Sequence, residues 1–270
     1  MNRLVIMLST LLALAAWPGP STAKADAGGD FRLIRAGGPL QLRADRAYIL
    51  LRIDTSNESF AADLLRVPSE QEMASYSAAK QEAHAKAGAK APPLADFAFD
   101  YSGRANLYEL PAGKWFAQNG KTNTVLAEVP PGDYVFYGQG FNGYLYECMC
   151  LGSVGFAASA GKVTDIGTMF VASAAKPSPI PELAGEVDLG PTAAMDNTLW
   201  AIALRPARPE DNLPEAIYGT AIAPAQFHAV GTFVEPNVIY VNRLAPIPGV
   251  LSYRSGHVID VATGTEVPDH

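Results

Sequence analysis

The stretch TVLAEVPPGDYVFYG, residues 124–138, indicates the fold of this chain more clearly than any other part of it. Two runs of strand-forming residues, 124–129 and 133–138, flank Pro130-Pro131-Gly132. Pro suits the first central position of a type II turn, and Gly suits the next one, where φ must be positive. The stretch therefore predicts two β-strands joined by a tight turn.

Further strands are predicted outward from this point, separated by short segments rich in Gly, Pro and Asn. The clearest are AYILLRID (47–54), DFAFDY (96–101), NLYEL (106–110), YLYECMC (144–150), SVGFAA (153–158) and KVTDIGTMFV (162–171). Many short strands at this spacing are typical of an antiparallel β-sandwich. We therefore predict a mainly β fold.

The turn-strand PPGDYVFYG, followed by SVGFAASAGKVTDIGTM, resembles part of uncharacterised bacterial exported proteins with a transthyretin-like or immunoglobulin-like β-sandwich. The resemblance covers about residues 95–172 and rests on turn chemistry, without a catalytic residue. It therefore implies a fold and no activity.

One surface helix is predicted at about residues 69–87, inserted among the strands. Ser69 and Glu72 have the spacing of a capping box, and the residues that follow are good helix formers up to Gly88. A thin apolar stripe that includes Met73 and Tyr76 predicts that this helix lies on a sheet through a narrow contact.

The first 25 residues have the pattern of a cleavable signal peptide. Arg3 precedes the apolar run Leu4–Trp17, and the small residues Ala23 and Ala25 precede a cleavage site. The run is shorter than the ~20 residues that span a bilayer, and no later segment is apolar enough to do so. We expect a periplasmic or secreted protein without a transmembrane segment after cleavage.

The expected organisation after the signal peptide is a β-sandwich domain with the helical insertion at 26–172, a Pro-rich linker at 173–183, and a less regular β-rich C-terminal region at 184–270. Cleavage removes two basic residues and no acid, so the net charge of −7 becomes more negative. An acidic surface argues against nucleic acid as the partner. An envelope protein or a glycan is the expected partner, and no cofactor is predicted.

Cys148 and Cys150 are the two cysteines of the chain. On a continuous strand they would share a face with Cα atoms ~6.6–6.8 Å apart, the upper edge of disulfide geometry. A disulfide, two buried thiols, and a redox or soft-metal site for Cu(I) or Zn all remain open on this pattern.

Four aromatic residues around the same segment form a possible patch for stacking on a sugar or a peptide: Tyr137, Phe141, Tyr144 and Tyr146. Aromatic residues in a sandwich also serve as core. Gly138, Gly140 and Gly143 match the text of the dinucleotide motif, but a predicted strand follows where a helix is required, so we reject that function.

The leading hypothesis is a non-enzymatic exported protein of the cell envelope that binds or scaffolds a partner. A periplasmic redox or soft-metal protein that uses Cys148 and Cys150 is the first alternative. An unrecognised hydrolase that uses Ser77 with Lys80, or His228, is the second; a second S-x-x-K pattern at Ser173 suggests that the spacing arises by chance. No catalytic residue is assigned.

Overall fold

The computed structural model describes residues 30–37, 40–55, 60–99, 101, 106–113, 116–141, 146–172, 201–231, 240–241 and 243–268. The predicted signal peptide and the predicted linker at 173–183 lie outside these residues.

The described residues hold one α-helix, α1 (Glu70–Ala87), and many short strands. The strands in chain order are β1 (Arg32–Leu33), β2 (Ala47–Asp54), β3 (Phe60–Arg66), β4 (Leu107–Pro111), β5 (Ala117–Asn119), β6 (Thr122–Val129), β7 (Gly132–Phe141), β8 (Tyr146–Cys148), β9 (Ser153–Ala158), β10 (Val163–Ala172), β11 (Ala201–Arg205), β12 (Ile222–Pro224), β13 (His228–Val230), β14 (Tyr240–Val241), β15 (Leu251–Arg254), β16 (His257–Asp260) and β17 (Thr265–Glu266). The prediction of a mainly β sandwich with one surface helix is confirmed.

The first sheet, sheet A, has the strand order β1-β6-β2-β10-β11, with β5 beside β6 and β12 beside β10. Its central strand β2 pairs antiparallel with β6 and parallel with β10. Strand β2 is buried on both faces, which explains its nearly continuous apolar sequence. Ile49 and Leu51 face the main core, while Tyr48 and Leu50 pack under residues from 34–42 and 213–222.

The second sheet, sheet B, has the order β13-β9-β7-β3-β4, with β8 beside β7 and β14 beside β8. The register of β7 on β3 shifts by one residue, since Asp63 lies opposite Gly138 and Leu64 lies opposite Phe136. Tyr137 is therefore the extra residue of a β-bulge.

Sheets A and B pack face to face around one main hydrophobic core. Alternate residues of both sheets fill it, including Ile49 and Leu51 of β2, Ala62 and Leu64 of β3, Val125 and Ala127 of β6, Tyr134 and Phe136 of β7, and Val154 and Phe156 of β9. A three-stranded sheet, β15-β16-β17, adds Leu251, Tyr253 and Val258 to the same core.

The C-terminal region contributes strands to both sheets of the sandwich. Strand β11 pairs antiparallel with β10 in sheet A, and β13 pairs antiparallel with β9 in sheet B. The described part of residues 184–270 therefore shares the core of the residues that precede it.

Helix α1 begins at a complete capping box between Ser69 and Glu72, as the sequence predicts. None of its residues is buried. The expected contact between its apolar stripe and a sheet is not what the structure has, because Met73 of the stripe is 48% exposed and Tyr76 faces residues of the returning chain. Tyr76 packs its ring against Phe99 and Tyr101.

The predicted strand at 96–101 is wrong in its described residues, 96–99 and 101, because none of them pairs with a strand and the rings of Phe99 and Tyr101 pack against helix α1 instead. Among the described residues, no helix has the length and apolar character that would let it cross a bilayer.

Candidate functional site

The outer face of sheet B, away from the main core, carries the cysteine pair. Cys148 ends β8, and Met149 leaves the strand to insert its side chain into the main core. The backbone N–H of Met149 donates to the carbonyl oxygen of Tyr137 at 2.8 Å. The two cysteines thus lie on the side of the chain opposite Met149, with Tyr137 and Leu65 beside them.

In the structure Cys148 and Cys150 form a disulfide, with their Cα atoms 5.1 Å apart. This separation is shorter than the distance expected for a continuous strand, because the strand ends at Cys148 and the chain turns. The turn closes where the N–H of Gly152 donates to the carbonyl oxygen of Met149 at 3.0 Å. Both cysteine side chains are 0% exposed.

Gly152 is required at this turn for two reasons. Its φ of 137° is one that residues with a side chain rarely adopt. A Cβ at this position would also lie 2.7 Å from Cγ2 of Val258 and 2.8 Å from the ring of Tyr253. The segment that carries the cysteines is therefore fitted closely against the three-stranded sheet.

Of the four aromatic residues predicted to form a binding patch, the structure describes the side chain of Tyr137. It is 8% exposed and packs against the two cysteines, so it offers little surface for stacking. The side chains of Phe141 and Tyr146, and all of Tyr144, lie outside the described residues.

Two acidic side chains that sequence reasoning missed lie on the same face of sheet B. Asp63 of β3 is directly opposite Glu109 of β4. Both point away from the main core, because their neighbours Ala62, Leu64 and Leu110 point into it. Burial and the nearby charge of Glu109 raise the pKa of Asp63 well above its usual value, and burial raises the pKa of Glu109.

A sequence signal for Asp63 was present. The strand FAADLLR, residues 60–66, contains one acid among apolar residues, at a position that alternates with core positions. The outward positions on either side of it, Ala61 and Leu65, are apolar as well, which predicts that this face is covered, and a covered charge is uncommon unless it is paired or functional.

Ser77 and Lys80, considered for hydrolysis, both bond to the backbone. The hydroxyl of Ser77 donates to the carbonyl oxygen of Met73 at 2.8 Å, and Lys80 Nζ donates to the carbonyl oxygen of Ala95 at 3.2 Å. His228 is exposed at the start of β13 and lies opposite Gly155. Ser173 and Lys176 lie outside the described residues.

The glycines that match the dinucleotide motif lie partly in β7, which runs without interruption from Gly132 to Phe141. Gly138 and Gly140 are thus strand residues that precede no helix in the described part of this region. Among all the residues that the structure describes, no group of three or more His, Cys, Asp or Glu side chains is placed so that it could hold a metal ion by itself.

Compared with protein-family models, with curated proteins and with solved structures, the chain gave no match in any of the three comparisons. The resemblance of residues 95–172 to transthyretin-like or immunoglobulin-like exported proteins stays a prediction.

Proposed function

We propose that this chain is an exported protein of the cell envelope that works by binding an envelope protein or a glycan in the periplasm or outside the cell. The observation that carries the proposal is the bridge between Cys148 and Cys150, which is packed under Tyr137 and removed from solvent. Disulfides of this buried, structural kind persist in oxidising compartments outside the cytoplasm. The pattern of residues 1–25 supports the same compartment.

The positions of the candidate catalytic groups favour binding over hydrolysis. Ser77 and Lys80 each make a hydrogen bond to a different backbone carbonyl and are not bonded to each other. A nucleophile and its base would need to lie within hydrogen-bond reach.

The redox alternative has less support than binding. Thiol–disulfide exchange begins when a thiolate attacks an accessible sulfur along the S–S axis. Both sulfurs here belong to fully buried side chains, so a protein partner would not reach them in the folded state.

The experiment is expression of the full chain in a host with two membranes, beside two leader variants. Leu12→Arg places a charge in the apolar run, and Ser9→Ala is the matched control that leaves the run apolar. We expect wild type and Ser9→Ala in the periplasm, beginning at Asp26 and with thiols that react with maleimide only after unfolding and reduction. We expect Leu12→Arg in the cytoplasm, unprocessed and reduced.

Recovery of unprocessed wild type from the cytoplasm would contradict export, and free thiols in periplasmic material would contradict the bridge. Binding is tested by cosedimentation of the processed chain with isolated cell-wall sacculi, with heat-unfolded protein as control, and by crosslinking in the periplasm. A chain that stays in the supernatant and forms no crosslinked species would contradict a binding role.

A further inference from the structure

A row of outward-facing positions crosses sheet B from its edge to the cysteine bridge. The pairing registers place Glu109 opposite Asp63, Asp63 opposite Gly138, and Gly138 opposite Cys148. The row therefore brings two carboxylates together beside a glycine. Local sequence could not have revealed this, because the four residues come from four different strands.

Asp63 is 1% exposed, and neither of its carboxylate oxygens has a hydrogen-bond partner. Among the described residues, the charged side chain that acts on Asp63 is Glu109, and its charge has the same sign. A buried carboxylate without a partner is strongly unfavourable. Such a group therefore requires a proton or a cation to offset its charge.

Gly140, on the neighbouring strand β7, provides the space for a ligand. A Cβ placed on this residue would lie 3.3 Å from Oδ2 of Asp63, 3.7 Å from Oδ1 of Asp63 and 3.8 Å from Oε2 of Glu109. Three carboxylate oxygens from two side chains thus converge on the volume of one methyl group. A cation near this position would face all three oxygens.

We propose that Asp63 and Glu109 form a binding site for one hard divalent cation, of the Ca²⁺ or Mg²⁺ class, in the space above Gly140. Carboxylate oxygens are the ligands that these hard cations prefer. Mg²⁺ is commonly held by one or two carboxylates with several waters, and Ca²⁺ accepts water and backbone carbonyls beside its carboxylates. Two acidic side chains are therefore enough protein charge for such a site.

The proposed cation site explains why residue 140 is small. The dinucleotide motif, which we rejected, does not explain it. Gly140 lies in a regular strand, so its value here is the space that it leaves. The neighbouring disulfide provides no ligand, because its sulfurs are not thiolates.

A shared proton is the competing way to offset the charge. Two adjacent carboxyls without a bound cation relieve their repulsion by holding a proton between them. Proton and cation therefore compete for the same oxygens, and cation affinity should rise with pH.

The experiment is calorimetric titration of the purified chain, stripped with EDTA, with CaCl₂ and separately with MgCl₂ up to about 10 mM, a range that covers extracellular calcium modules. The variants are Asp63→Asn, Glu109→Gln and Gly140→Ala, and Asp96→Asn is the control that removes an exposed carboxylate elsewhere. Cation binding does not depend on the proposed export and is tested on purified protein. The proposal of a cation site and the proposal of export can therefore each fail without the other.

We expect one ion per wild-type chain, a higher melting temperature with the ion bound, and tighter binding at pH 8 than at pH 5. Each of the three site variants should weaken binding at least about tenfold, since each removes a coordinating charge or fills the space. Asp96→Asn should bind like wild type. Circular dichroism selects the variants that fold, and Gly140→Ala tests the space without removing a carboxylate.

Two outcomes would overturn the proposal. One is wild type that binds neither ion up to 10 mM, in which case the two carboxyls share a proton. The other is binding that Asp63→Asn, Glu109→Gln and Gly140→Ala all leave unchanged, which would place the ion elsewhere.

Discussion

Arg52 of β2 and Asp165 of β10 are 113 residues apart in sequence and form a buried ion pair, with Arg52 Nη2 2.8 Å from Oδ1 and 3.0 Å from Oδ2 of Asp165. The same nitrogen lies 3.3 Å from Oδ2 of Asp211, and Nη2 of Arg205 lies 2.6 Å from Oδ1 of the same carboxylate. This network connects two neighbouring strands of sheet A to the loop after β11.

Replacement of Arg52 by Met should lower the free energy of unfolding by about 3–5 kcal/mol, because Asp165 then stays buried without its cation. Urea denaturation monitored by tryptophan fluorescence measures the change. Lys86→Ala is the control, because it breaks the exposed pair with Glu82 and should leave the unfolding midpoint unchanged. Equal midpoints for Arg52→Met and wild type would contradict the role given to the pair.

Replacement of Gly152 by Ala should destabilise the fold by about 3 kcal/mol. The new Cβ would strain a φ that suits glycine and would crowd Val258 and Tyr253. Gly219→Ala is the matched control, since Gly219 also has a positive φ but nothing lies within 4 Å of the added Cβ. We expect the control to cost only about 1 kcal/mol. Similar urea midpoints for the two variants would show that the contacts at Gly152 are unimportant.

Reduction of the Cys148–Cys150 bridge should lower the free energy of unfolding by only about 1.5 kcal/mol. Loop-closure entropy grows with the length of the closed loop, and this loop contains three residues. Urea denaturation of oxidised chain and of chain unfolded and refolded in reductant measures the difference. Cys148→Ser with Cys150→Ser controls for effects of the reductant itself. A loss well above 4 kcal/mol would mean that the bridge stabilises the fold by another route.

The stability of the ion-free chain should fall as the pH rises above about 4 because of Asp63. The pKa of Asp63 in the folded state is raised, by burial first and then by the charge of Glu109. The folded state therefore holds a proton that the unfolded chain loses near pH 3.8, and this stabilisation disappears as the pH rises through the folded pKa.

Asp63→Asn should abolish this part of the pH dependence and make the chain more stable than wild type at pH 8 in EDTA, by about 1–3 kcal/mol. Asp96→Asn is the control for loss of an exposed acid. Urea denaturation at pH 4, 6 and 8 tests the prediction, and parallel profiles for wild type and Asp63→Asn would contradict it.

The start of helix α1 should loosen in acid. Arg66 and the backbone N–H of Ser69 hydrogen bond to Glu72 and lower its pKa to about 2. This stabilisation is complete above the ordinary pKa of 4.5 and is lost as the pH falls towards 2. Glu72→Gln should remove it at every pH.

Hydrogen exchange of the α1 amides at pH 6 and pH 3, corrected for intrinsic rates, measures this loosening. Glu82→Gln, on the exposed part of the same helix, is the matched control. Protection of the first turn that is equal in Glu72→Gln and wild type at pH 6 would contradict the role of Glu72.

The elements of this fold that depend on neighbouring residues were predictable. The strands at 47–54 and 124–138 are indicated by β-forming residues and, in the second case, by a Pro-Gly turn. Strand propensity and turn preference both act over a few residues. Helix α1 begins where the Ser69–Glu72 capping box places its start, because that box is closed within four residues.

The candidate site was only partly predictable. The sequence identified Cys148 and Cys150 as the notable pair, but it could not tell that Met149 would turn into the core and bring their Cα atoms to 5.1 Å. It gave no reason to connect Asp63 with Glu109, since their meeting depends on the register of β3 on β4.

The sequence by itself therefore determined the β character of the chain, its helix and the positions of strands such as those at 47–54 and 124–138, because these follow from local propensity and alternation. Only the tertiary structure decided the parallel pairing of β2 with β10, the bulge at Tyr137, and the burial of Asp63 opposite Glu109. These features follow from which strands become neighbours and in which register. That choice is made by the core that the two sheets bury together, and no single segment contains it.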